Sequence, residues 1–122
     1  MFTQVEEMKK IALFVFNGDP MCFIHVLLNA KDWNDHGYEA KIIVEGTATK
    51  LVPELAKEGH PMHKLWEKAK QDGLVAGACR ACSAKLGVMD DIKTQGIDLL
   101  EGVAGHPSMV RYQEDGFEVI TF

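Results

Sequence analysis

Apolar and polar positions fall in blocks along this chain, each block closed by glycine or proline. Residues 10–16, KIALFVF, are a continuous aliphatic and aromatic run that stops at the turn signal NGDP. An unbroken apolar run of that length predicts a strand buried on both faces. In MCFIHVLLNAKDWNDHG, Phe23, Val26, Leu27, Ala30 and Trp33 recur at helical spacing. Pro20 suits the start of that helix, and Gly37 suits the position just past its end. EAKIIVEG (39–46) predicts a second strand. ATKLVPELAKEG and PMHKLWEKAKQDG predict helical pieces split at Gly59, with Pro61 at the first position of the second piece. LVAGAC (74–79) predicts a short third strand of small residues. RACSAKLG and VMDDIKTQG read as two short helices, IDLLEGVAG as a weak fourth strand, HPSMVRYQEDG as a last helix and FEVITF as a closing strand.

Alternating strands and helices predict an α/β fold: a flavodoxin-like three-layer sandwich with a mainly parallel sheet of four to five strands. Its crossovers should be right-handed. The chain of 122 residues is long enough for one domain, spanning 1–122, to bury a core without disulfides. Its 47% hydrophobic and 25% charged residues are close to the average of soluble globular proteins. The net charge of −5, with scattered lysines and arginines, gives no basic face for nucleic acid. Lys9-Lys10 reads as a solvated lead-in to the first strand. MFTQVEEMKK has no apolar core of signal-peptide length, and no apolar run approaches the roughly 20 residues that cross a bilayer. A cytoplasmic protein without membrane contact is the expectation. Three cysteines, few and odd in number, argue against a secreted disulfide framework.

Ligands of open parallel sheets bind beyond the carboxyl ends of the strands. The third strand ends at Cys79, with Cys82 three residues on. Asp19, Cys22 and His25 follow the first strand, Glu45 ends the second, and His106 lies between the fourth strand and the last helix. A sulfur nucleophile must be a thiolate. A helix beginning at Arg80 or Ala81 would point free amides at Cys79, and Arg80 would add a cation; both lower a thiol pKa. Cys82 is then a resolving or second thiol, and His106 an acid–base partner. Two other readings stay open. Both thiols can be small core residues. Alternatively His60 and His63, as H-x-x-H, can join Cys79 and Cys82 in a Cys₂His₂ metal or redox-sensing module, because helix and strand lengths return both pairs to one edge. Cys22 reads as core, Asp19 as a turn or cap residue, His36 as a helix C-terminal residue, and Met62, Met89 and Met109 as packing. Glu45-Gly46-Thr47 reads either as a ligand-facing segment or as a strand end and cap. NGDP lacks the glycine spacing and lysine of phosphate loops.

With those residues in view, the chain resembles the DsrE/DsrF-like sulfur-relay family over almost its whole length. The likeness rests on the opening strand, GACRACSAKLGV, DDIKTQGIDLLEGV and GHPSMVRYQEDGFEVITF, and above all on Cys79 directly after the third strand with Gly87 eight residues on. The resemblance implies a small cytoplasmic sulfur carrier, sulfurtransferase-like, with Cys79 holding a persulfide. It implies sulfur donor and acceptor proteins as partners, a homo-oligomer such as a trimer or hexamer, and no organic cofactor. Cys82 is not required by the family pattern. A thioredoxin-type reductase fits less well, since its C-x-x-C follows an early strand.

Overall fold

The computed structural model describes residues 9–122; the reading of residues 1–8 as free of a leader lies outside the described residues. The strands are β1 (Lys10–Val15), β2 (Glu39–Val44), β3 (Val75–Cys79), β4 (Leu99–Leu100) and β5 (Phe117–Thr121). The helices are α1 (Pro20–Asp35), α2 (Leu51–Leu55), α3 (His63–Gln71), α4 (Arg80–Lys85), α5 (Met89–Thr94) and α6 (Met109–Glu114), with a 3₁₀ turn at Gly46–Lys50 leading into α2. Every strand pairing is parallel, in the order β4-β3-β2-β1-β5. The layering is the expected flavodoxin-like sandwich, with a strand order of its own; flavodoxin runs 2-1-3-4-5. Here the chain winds outward from β1 to β4, and only β5 returns to the far side of β1.

The alternation along β1 builds two cores. Ile11, Leu13 and Val15 face one way, into a large cluster with Phe23, Val26, Leu27 and Ala30 of α1 and Trp66 of α3. Ala12 and Phe14 face the other way with Ile43, under Met109 and Tyr112 of α6 and Phe117 and Val119 of β5. A fully buried large apolar side chain contributes about 1.5–3 kcal/mol, so β1, buried on both faces, is the strand the fold can least lose. Tyr112 meets Phe14 and Phe117 edge-on, with centroids 5.5 Å away in each case. Trp66 packs edge-on against Phe23 at 5.9 Å, and its Nε1–H donates to Gln95 Oε1 at 3.0 Å.

Punctuation in the sequence acts as expected at most boundaries. Asp19 caps α1, accepting from the Met21 N–H at 2.9 Å, with Pro20 as the first helical residue. Ser108 caps α6 by accepting from the Arg111 N–H. Pro61 does not open α3; that helix starts at His63, and Pro61 sits in the turn before it. The most consequential glycine is Gly77. A Cβ there would stand 2.6 Å from Asp98 O and from Leu100 Cγ, so only glycine lets the chain entering β4 lie this close to β3. Beside it the β2–β3 register shifts between Ile42 and Ile43, a bulge that takes up Ala76. This close approach fixes where the segment after β4 arrives.

Candidate functional site

The carboxyl edge of the sheet collects four titratable side chains from three connections. Cys79 is the last residue of β3 and caps α4, its Sγ accepting from the Cys82 N–H at 3.3 Å. Cys82 lies in the first turn of α4, half-buried. Glu45 follows β2, where its own N–H is held by Val15 O at 2.8 Å. It is only 5% exposed. His106 comes from the segment after β4, which doubles back in a tight hairpin. Val103 N–H donates to His106 O at 2.7 Å, and His106 N–H returns to Val103 O at 2.8 Å. The two central residues both carry positive φ, Ala104 at 49° and Gly105 at 84°, as a type I′ turn demands. Gly105 O accepts from the Ala81 N–H at 3.0 Å, pinning the turn to the start of α4. A Cβ on Gly105 would press on Ala81 Cβ at 3.2 Å.

His106 Nδ1 is the centre of the cluster. It lies 3.1 Å from Cys79 Sγ, 3.7 Å from Cys82 Sγ and 3.9 Å from Glu45 Oε1. One donor atom from each of Glu45, Cys79, Cys82 and His106 falls within 4.8 Å of every other. The His106 side chain is half exposed, whereas Cys79 is completely covered.

Burial dominates the electrostatics. It pushes the Cys79 thiol up to about 12; the Cys82 N–H opposes this, while the Cys82 thiol and the Glu45 carboxyl push the same way. Burial also raises the Glu45 carboxyl, against the pull of His106 and of the Cys79 thiol. Two expectations are thereby corrected. The amides of α4 do not make Cys79 a thiolate in the resting chain, because one N–H···S contact cannot offset removal of the sulfur from water. Arg80 does not serve the thiol either: its Nε pairs with Glu101 at 3.1 Å on the surface. His106 Nδ1, 3.1 Å from the Cys79 sulfur and 3.9 Å from the Glu45 carboxyl, is the nitrogen placed to exchange a proton with the thiol.

The histidine pair proposed for a metal site does not reach the thiols. His60 Nδ1 accepts from the Met62 N–H at 3.0 Å, and His63 Nδ1 turns back to Leu55 O at 2.9 Å. Both rings close local turns, and neither belongs to the cluster. Cys22 stands apart too, its sulfur taking the Asn17 amide at 3.5 Å. His25 is exposed on α1, and His36 is the C-terminal cap of that helix, its Nδ1 2.8 Å from Asp32 O. Gly87, whose spacing from Cys79 carries the family resemblance, adopts φ 73° just past α4, and its N–H donates to Ala84 O. It ends a helix and does no chemistry. Glu45 is the site residue the sequence underweights. Its only signal is a carboxylate directly after a buried parallel strand.

No protein-family model matches the chain. An uncharacterised protein of Methanocaldococcus jannaschii, MJ0733, is 35% identical over 97 residues, spanning 80% of this chain and 77% of that one. An uncharacterised protein of Archaeoglobus fulgidus is 46% identical over 59 residues, 48% of this chain and 95% of its own length. Among solved structures, BT1422 of Bacteroides thetaiotaomicron, a conserved protein of unknown function, superposes with a TM-score of 0.72 at 19% identity, over 93% of this chain and 95% of that one. That likeness is one of fold.

Proposed function

We propose that this chain, which belongs to the same family as MJ0733 of Methanocaldococcus jannaschii, is a sulfur carrier holding a persulfide on Cys79. The observation that carries this reading is the convergence of two thiols on one imidazole nitrogen, at 3.1 and 3.7 Å, at the carboxyl edge of the sheet. The DsrE/DsrF-like arrangement of Cys79 and Gly87 supports it. His106 takes the Cys79 proton, and the Cys79 thiolate attacks the outer sulfur of a donor persulfide R–S–SH. The donor S–S bond breaks, the donor leaves as R–S⁻ and recovers the proton from His106, and the chain holds Cys79–S–SH. An acceptor thiolate then takes the outer sulfur, and Cys79 returns to the thiol. Alternatively the Cys82 thiolate attacks Cys79 Sγ, expels HS⁻ and closes a Cys79–Cys82 disulfide.

Cys79 is covered by the turn that bears His106, so loading needs that turn to move. Its hydrogen bonds to α4 and across the hairpin are few, which favours local opening over global unfolding. Donor and acceptor proteins, a trimeric or hexameric homo-oligomer and a cytoplasmic setting belong to the same proposal. The partly buried apolar residues Ala76, Leu100, Met109 and Tyr112, with Val110 of α6 exposed, support self-association. No helix among the described residues is long and apolar enough to cross a membrane.

Intact-mass and peptide mapping after exposure of the reduced protein to a low-molecular-weight persulfide tests this reading. It predicts a gain of one sulfur on Cys79, reversed by excess thiol and lost in Cys79→Ser. A chain that gains no sulfur, or gains it equally in Cys79→Ser, contradicts it.

A further inference from the structure

The donor set of the cluster answers to a second chemistry. Two thiols, one imidazole and one carboxyl are the ligand types of a four-coordinate zinc site. Four such donors on a tetrahedron, with Zn–S near 2.3 Å and Zn–N near 2.0–2.1 Å, stand about 3.6 Å apart for sulfur and nitrogen and roughly 3.8 Å for two sulfurs. The observed sulfur–nitrogen separations are 3.1 and 3.7 Å, nitrogen to carboxylate oxygen is 3.9 Å, and no pair exceeds 4.8 Å. A tetrahedral ion therefore needs shifts of about an ångström or less from these side chains. The four come from three connections held to the sheet edge, so the fold has already brought them together.

Charge points the same way. Glu45 is buried, and among the described residues its one possible cationic partner within 4 Å is His106. Arg80, the cation next to Cys79 in sequence, is taken by Glu101. A buried carboxyl with no fixed cation against it is a group that a metal ion can pair. Half-exposed Cys82 and His106 leave the ion a path from solvent.

We propose that Glu45, Cys79, Cys82 and His106 form a binding site for one soft divalent cation of the Zn²⁺ type. Binding forms two metal–thiolate bonds, one metal–imidazole bond and one metal–carboxylate bond. The two thiol protons pass to solvent, and nothing is oxidised or reduced. The site uses the lone pairs that a persulfide would need, so the metal-bound chain holds its thiols reduced and closed to sulfur donors. The cation site does not depend on the sulfur-carrying reading.

The test is competition between the fully reduced, chelator-treated chain and a chromophoric zinc indicator, with Co²⁺ as a spectroscopic probe. One Zn²⁺ per chain should be withdrawn from the indicator. Co²⁺ should give an intense tetrahedral visible spectrum with a thiolate charge-transfer band. Cys82→Ser should weaken binding by more than the roughly 10–100-fold that loss of an outer-shell partner costs, and Glu45→Gln and His106→Ala should each weaken it measurably. His106 is half exposed on a turn, so its variant keeps the test valid if a core substitution fails to fold. An indicator that retains its zinc at one equivalent, a pale octahedral Co²⁺ spectrum, or affinity unchanged in both Glu45→Gln and His106→Ala would overturn the site. Sulfur loading is read separately by mass, so either proposal can fail while the other stands.

Discussion

Cys79 should be the least reactive thiol of the resting chain, although it is the residue on which sulfur is to be carried. The perturbation is pH, applied to reduced, metal-free protein. An ordinary thiol of the kind that sets the reference value of 9.0 is half ionised at pH 9, whereas a thiol pushed up to about 12 is ionised to about one part in a thousand. Thiolate content alone therefore slows Cys79 alkylation by about 500-fold at that pH. Cover by the His106 turn slows it further. Rates of iodoacetamide labelling at each cysteine, followed by peptide mass spectrometry from neutral pH to above 10, measure this directly. Cys22 and Cys82, both half-buried, should label before Cys79, which should react only after long exposure. Labelling of wild-type Cys79 with a midpoint below 9 would refute the argument that burial outweighs the α4 amides.

The same shift gives a stability prediction with a definite sign. The folded thiol binds its proton more tightly than the unfolded one, so this contribution is complete below pH 9 and fades as pH rises through about 12. Urea denaturation across that window should show wild type losing stability relative to Cys79→Ala; parallel curves would count against it. Gly77→Ala drives a Cβ to 2.6 Å from Asp98 O and should cost about 3 kcal/mol, with loss of His106 contact to the thiols visible in histidine NMR shifts. A normal fold and stability in that variant would show that β4 is free to retreat. Ala104→Gly relieves the one non-glycine residue of positive φ among those described and should gain about 0.5–1 kcal/mol in chemical denaturation. A loss of that size would mean Ala104 is not strained.

The sheet was readable because its signals are physical and local. The run at 10–16 has too many apolar residues for one face, so burial on both sides follows, and Asp19, Pro20 and Gly37 mark α1 by capping chemistry alone. β4 was the weakest expectation and is the shortest strand, two residues held in place by Gly77. That Cys79 and His106 share an edge follows from the rule for parallel sheets, because topology sends every strand–helix connection there. Side-chain direction does not follow from topology. His60 and His63 reach the proper region in outline, yet one ring takes the Met62 N–H and the other turns back to Leu55 O. Arg80 adjoins Cys79 in sequence, but the first residue of α4 points outward to Glu101. The burial of Cys79 was invisible for a further reason. It depends on a four-residue turn from the other side of β4 closing over the sulfur, and a thiol's pKa is set by what covers it more than by what precedes it.

The most direct measurement follows one labelled sulfur atom through a full cycle. Reduced protein is loaded from a persulfide bearing isotopically labelled sulfane sulfur, freed of donor and then chased with a protein thiol acceptor. The account predicts label on Cys79, its departure to the acceptor as a persulfide, and recovery of the free Cys79 thiol, with loading slowed in His106→Ala. Label that never enters the chain, or that sits on Cys22 with Cys79 untouched, would contradict it.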